Sequence, residues 1–109
     1  MSTPENNPDK AAKVFADDRA NVFHSWSAQG QISPMTVAGG AGSYFWDFTG
    51  KKYLDFSCQL VFTNIGHQHP KVIAAIKEQA DVLATVAPQH ANEARNEAAK
   101  RITGVAGDS

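Results

Sequence analysis

GSYFWDFTGKKYLDF, residues 42–56, decides the fold. Tyr44, Trp46 and Phe48 alternate with Phe45 and Asp47, the period of a pleated strand with two different faces, and aromatic side chains suit that surface. Thr49-Gly50 then supplies turn chemistry, and Tyr53, Leu54 and Phe56 resume the apolar pattern, so the stretch predicts a β-hairpin.

Downstream, QLVFTNI (59–65) is apolar without a readable period. Pro70 stands where its missing amide hydrogen costs nothing, at the start of a helix, and Val72, Ile73, Ile76, Ala80 and Leu83 form one stripe, which predicts a helix from Pro70 to Ala84. Pro88 interrupts. A second amphipathic helix is expected over Ala91 to Ile102, with Glu97 placed to pair with Arg101, and Gly104 to Ser109 reads as a linker. Upstream, residues 1–9 have the composition of a disordered tail. Asp9 is the expected cap of a helix from Lys10 to Val22, and Ser27 to Gly42 reads as a loop. The whole is an α+β segment: an N-terminal helix, a hairpin and two amphipathic helices. A lone hairpin is marginal in water, so these elements need a partner to cover them.

With 109 residues the chain holds at most one small domain, and ten Lys plus Arg against eleven Asp plus Glu leave a formal charge of -1. The signs are mixed, so nothing calls for nucleic acid or an anionic membrane as partner. Cys58 is the single cysteine, which fits a reducing compartment and places the protein in the cytosol. The N-terminus lacks the basic start and apolar run of a secretory signal, and no stretch reaches the ~20 apolar residues of a membrane span.

Several residues invite chemistry. His67 and His69 could face one side of an extended chain and bind a metal, but further ligands lie far off in sequence; the competing reading is a bend at Gly66 with His69 capping the helix at Pro70. Cys58, a histidine and Asp55 could be cast as nucleophile, base and orienting acid, against the plainer reading of Cys58 as a small buried side chain. Gly39, Gly40 and Gly42 precede a strand, the wrong context for a phosphate loop, and suit chain reversal and close packing. The aromatics Phe23, Trp26, Tyr44, Phe45, Trp46 and Phe62 could be core, a partner-facing patch or the wall of a small-molecule site, with most of the hairpin aromatics expected in the core. Trp26, in a loop beside His24 and Ser25, is less easily explained as core and is a candidate for a contact surface.

The run from Gly42 to Phe56, continued by SCQLVFTNIGHQHPKVIAAIKEQ to Gln79, resembles the opening of class III, pyridoxal-phosphate-dependent aminotransferases, the ω-transaminase group. His24-Ser25-Trp26-Ser27 resembles the stretch upstream of it in many members. The resemblance implies part of the small domain of a fold-type I transferase, acting as a homodimer or higher homo-oligomer on a small-molecule amino donor and an α-keto acid such as pyruvate. It also implies that Leu60, Val61, Phe23 and Trp26 lie against the substrate. Val61 departs from the large aromatic of several amine-transaminating members, which implies a less constricted pocket.

The same resemblance implies pyridoxal 5'-phosphate as cofactor, held beyond Ser109 by a Schiff-base lysine, an aspartate at the pyridine nitrogen and a Gly-Ser/Thr phosphate loop. None of the seven lysines here matches the Schiff-base position, so no catalytic or cofactor-binding residue is expected in this chain, and the isolated chain is expected to be inactive. A self-standing interaction or dimerisation module, using the Val72–Leu83 stripe and the aromatic hairpin as sticky surfaces, is the competing expectation.

Overall fold

The computed structural model describes residues 4–107, which divide into two compact units with a boundary after Ile73. The first unit opens with helix α1, Pro8–Asn21. Asn7, not Asp9, caps it: the Asn7 carboxamide oxygen accepts from the Lys10 amide at 3.0 Å, Pro8 takes the first helical position, and Asp9 sits in the first turn. The Asn7 amide donates to the Phe48 carbonyl at 2.6 Å, so the cap is tied to the hairpin. Of the expected tail, residues 1–3 lie outside the described residues.

The predicted hairpin is present as β2, Tyr44–Asp47, and β3, Lys52–Leu54. It gains a strand that the sequence reading placed in a loop. β1, Val37–Ala41, pairs antiparallel with β2, making a three-stranded meander in the order β1-β2-β3. A bulge at Ala38 breaks the register between Val37↔Asp47 and Gly39↔Trp46. Gly42, at φ 57, opens the two-residue loop into β2, a backbone region where a side chain would be strained.

β1 is a strand because of what lies on it. Its glycines have no propensity of their own to offer a sheet. A Cβ on Gly39 would stand 2.9 Å from the Trp46 indole, and one on Gly40 would stand 2.8 Å from the His67 ring. Trp46, 6% exposed, is the one buried hydrophobic residue among the described residues. Phe45 stacks on its cross-strand partner Tyr53 with ring centroids 5.2 Å apart.

Asp47, also buried, shapes the β2–β3 turn. One carboxylate oxygen accepts from the Thr49 amide, the Thr49 hydroxyl and the Lys51 amide at 2.9, 2.7 and 3.1 Å, and the other from the Tyr53 hydroxyl at 2.8 Å. Those bonds, led by Thr49, hold the Asp47 carboxyl below the usual carboxylate range against the opposing effect of burial. Asp47 in turn raises the Tyr53 phenol.

Helix α3, Pro70–Val82, matches its prediction closely, ending two residues early. His69 does not cap it through the ring. Its carbonyl accepts from Val72 and Ile73, whereas Nδ1 is buried without a partner among the described residues. In the second unit, helix α4, Glu93–Ala106, is capped by the Asn92 side chain, which accepts from the Arg95 amide at 3.1 Å. α4 runs through the expected linker as far as Ala106. Glu97 pairs with Lys100, one residue before the expected Arg101, at 2.8 Å. The stripe residues Val72, Ile76 and Leu83 are exposed.

The Gly39→Ala variant should lower the urea midpoint, with a stability loss of about 1–3 kcal/mol from overpacking against Trp46, as followed by far-ultraviolet circular dichroism.

Candidate functional site

β3 ends at Leu54, and Asp55 follows it with its amide bonded to the Ser43 carbonyl. This fixes the Asp55 carboxylate at the mouth of the loop 57–67. Four side chains of that loop donate to it: Ser57 Oγ at 3.1 Å, Gln59 Nε2 at 3.2 Å, Thr63 Oγ1 at 3.3 Å and His67 Nε2 at 2.7 Å. An ionised carboxylate only accepts, so His67 carries its proton on Nε2. The Asp55 side chain is 3% exposed. Burial pushes its carboxyl up, but the bonds from His67, Gln59 and Ser57 prevail and hold it down at about 2.

His67 closes the other end of the loop. Its backbone exchanges two hydrogen bonds with Gly42, at 3.0 and 2.7 Å, and its ring occupies the space that Gly40 leaves free. Gly66, at φ 92, makes the bend expected there.

Between these anchors lies α2, Cys58–Val61, a single turn with an unusual backbone. Cys58, Gln59, Leu60 and Val61 have φ of 49°, 48°, 55° and 68°, four successive non-glycine residues in the left-handed region. Each such residue costs roughly 1–2 kcal/mol, and a β-branched residue such as Val61 is the least tolerant of it. The turn's own bonds are long at Val61 and Phe62, 3.5 and 3.4 Å. Leu60 and Val61 project outward, 70% and 74% exposed. Cys58, a free thiol, is half-buried as a small side chain in a cleft of about 90 Å³ with Asp55, Thr63 and His67. Ligand pockets run to roughly 300 Å³ and above, so this cleft is too small to be one.

Phe23 and Trp26 lie on the segment after α1, and they are 77% and 98% exposed. That segment is nevertheless well tied. The Gln29 side chain accepts from the His24 amide at 3.0 Å and donates to the carbonyls of His24 and Ser27. Arg19 donates to the Gln29 carbonyl, and the His24 ring lies 2.7 Å from Asp18. Trp26, at φ 59, is thus held out on a bonded loop. Among the described residues no hydrogen bond or ring contact joins this segment to the 58–61 turn. The structure therefore displays the four predicted site residues as two separate exposed pairs. Sequence reasoning missed Gln29 and the part played by Asp55; the only signal for either was a side chain able to accept and donate, or to accept repeatedly, beside a turn.

His67 is engaged by Asp55 rather than paired with His69. All seven lysines are exposed and none lines the Asp55 cleft, so that cleft offers pyridoxal phosphate no amine. No helix among the described residues is long and apolar enough to cross a membrane.

The meander with its flanking helices recurs in solved transaminases. The taurine:2-oxoglutarate aminotransferase of Bifidobacterium kashiwanohense, in complex with PLP and glutamate, is 38% identical with a TM-score of 0.82, over 88% of this chain and 21% of that one. A Bacillus anthracis aminotransferase, at 21% identity, shares the fold over 94% of this chain and 23% of its own, with a TM-score of 0.83. In sequence, the 5-aminovalerate aminotransferase of Pseudomonas aeruginosa is 39% identical over 80 residues, 69% of this chain and 19% of that protein. The architecture is therefore that of a segment of a fold-type I, pyridoxal-phosphate-dependent transferase. Residues 26–109 match the aminotransferase class-III family, and the chain belongs to that family. It spans about a fifth of the length of these relatives.

Acid stability should follow Asp55. Its folded-state carboxyl lies below the ordinary 3.8, so its contribution is complete above that value and is lost as pH falls towards about 2. Circular dichroism from pH 6 to 2 should show a shallower acid decline for Asp55→Asn than for the parent chain, the remaining slope including the part due to Asp47.

Proposed function

We propose that the chain serves an enzyme that transfers an amino group from a small-molecule donor to an α-keto acid such as pyruvate, and that its share is the substrate pocket and the subunit interface. One observation supports this above the others: Trp26 is 98% exposed on a loop whose backbone is fixed by side-chain bonds. A large aromatic held outward in this way suits a surface that something else covers. Phe23 on the same segment, and Leu60 and Val61 on the 58–61 turn, are likewise exposed and would face the same donor. On this reading the segment is part of the small domain of a homodimer or higher homo-oligomer.

The amino group's carrier would be pyridoxal phosphate, held by groups beyond Ser109 and by the partner subunit. The chain's own residues would supply shape. Val61, smaller than an aromatic, would leave room beside the donor's side chain, while Trp26 and Phe23 would exclude water from it. The free thiol of Cys58 favours a reducing compartment, the cytoplasm.

Two measurements test this. In the full-length enzyme, Trp26→Ala should raise KM for the amino donor about tenfold with kcat changed less, while Val61→Phe should depress kcat/KM for bulky donors more than for small ones. Unchanged donor kinetics in both would remove these residues from the pocket. The 109-residue chain alone, given one equivalent of pyridoxal phosphate and then borohydride, should show no turnover and an unchanged mass. Stoichiometric attachment at one lysine would place the cofactor site within this chain.

A further inference from the structure

We propose that Asp55 is the positioning residue of the 58–61 turn, and that through it the direction of Leu60 and Val61 is set. This rests on the reading that those two side chains face the substrate.

The turn does not hold itself. Four left-handed residues without a glycine form a conformation that persists only when its surroundings over-determine it. Its backbone bonds at Val61 and Phe62 are long, and Leu60 and Val61 gain little from burial because both point to solvent. Beside the bond from the Thr63 amide to the Cys58 carbonyl at 3.0 Å, what remains is the Asp55 carboxylate. It draws donors from before the turn (Ser57), within it (Gln59), just after it (Thr63) and from the far end of the loop (His67). A single withdrawn acceptor thus fixes both ends and the middle of the segment. Asp55 is itself fixed by β3 and the bond from its amide to Ser43, and His67 by the Gly42 bridge, so the reference frame is the sheet. Neither Asp55 nor His67 needs to touch substrate for this.

A residue that served only to stabilise the sheet would loosen strands and turn together. A positioning residue loosens the turn. Asp55→Asn keeps the side chain's size but replaces an acceptor oxygen with a donor. Gln59→Ala/Thr63→Val removes two donors and leaves the carboxylate, its His67 bond and the sheet in place. In the full-length holoenzyme, hydrogen exchange read by peptide mass spectrometry should show the amides of residues 61–63 exchanging about tenfold faster in the asparagine variant and about threefold faster in the double variant. The strand amides of β2 and β3 should stay within about twofold in the double variant. In the full-length holoenzyme the double variant should raise KM for the amino donor about fivefold with kcat within about twofold.

Turn amides unchanged in the double variant, or loosened only in step with the strands, overturn the proposal. A loosened turn with donor KM unmoved, in an enzyme where Leu60→Ala and Val61→Ala do move it, overturns it as well. A loosened turn in an enzyme where Leu60→Ala and Val61→Ala also leave donor KM unchanged supports the hold of Asp55 on the turn and removes instead the pocket reading on which its functional meaning rests.

Discussion

A carboxylate taken out of water must find donors, and most of what is distinctive in this segment follows from where Asp55 finds them. All four come from the eleven residues of 57–67, and none from α1, α3 or α4. Had they been spread over the fold, the carboxylate would brace a core. Gathered on one loop, they turn a strand end into a support for irregular backbone, and the ionised form is favoured so strongly that the support is constant across ordinary pH. Asp47, eight residues earlier, does the same for the hairpin turn on a smaller scale. The YLDF and WDF parts of one short stretch thus each carry an acid that organises what comes next.

The hairpin was legible because its signal is local: alternation of aromatics, then a Thr-Gly turn. α3 was legible because Pro70 and a five-residue stripe agree. β1 was not, since VAGGA has no propensity to read and becomes a strand only when the Trp46 and His67 rings occupy the space its glycines leave. The α1 cap moved from Asp9 to Asn7 because both residue types cap helices and Pro8 suits the position between them. The choice of Lys100 over Arg101 by Glu97 is the same kind of near tie, three and four residues being about equally close on a helix.

The candidate site residues come from family likeness rather than physics. Phe23, Trp26, Leu60 and Val61 carry no local mark of a pocket, and the structure displays them without gathering them. The cleft of about 90 Å³ beside Asp55 is lined by none of the four. Nor does a left-handed turn announce itself in SCQLV, where no glycine stands at the strained positions; the conformation is imposed by bonds whose partners lie up to twelve residues away.

The loop of Trp26 has a consequence for association. Ordering a residue's backbone costs about 1–2 kcal/mol, and for His24 to Gln29 the carboxamide of Gln29 brings that ordering into the folding of the segment itself. Whatever closes over the indole meets a surface whose entropy has already been given up. The favourable free energy of covering an aromatic ring then goes to affinity undiminished by loop ordering, and a single exposed side chain can anchor more than its area alone would suggest.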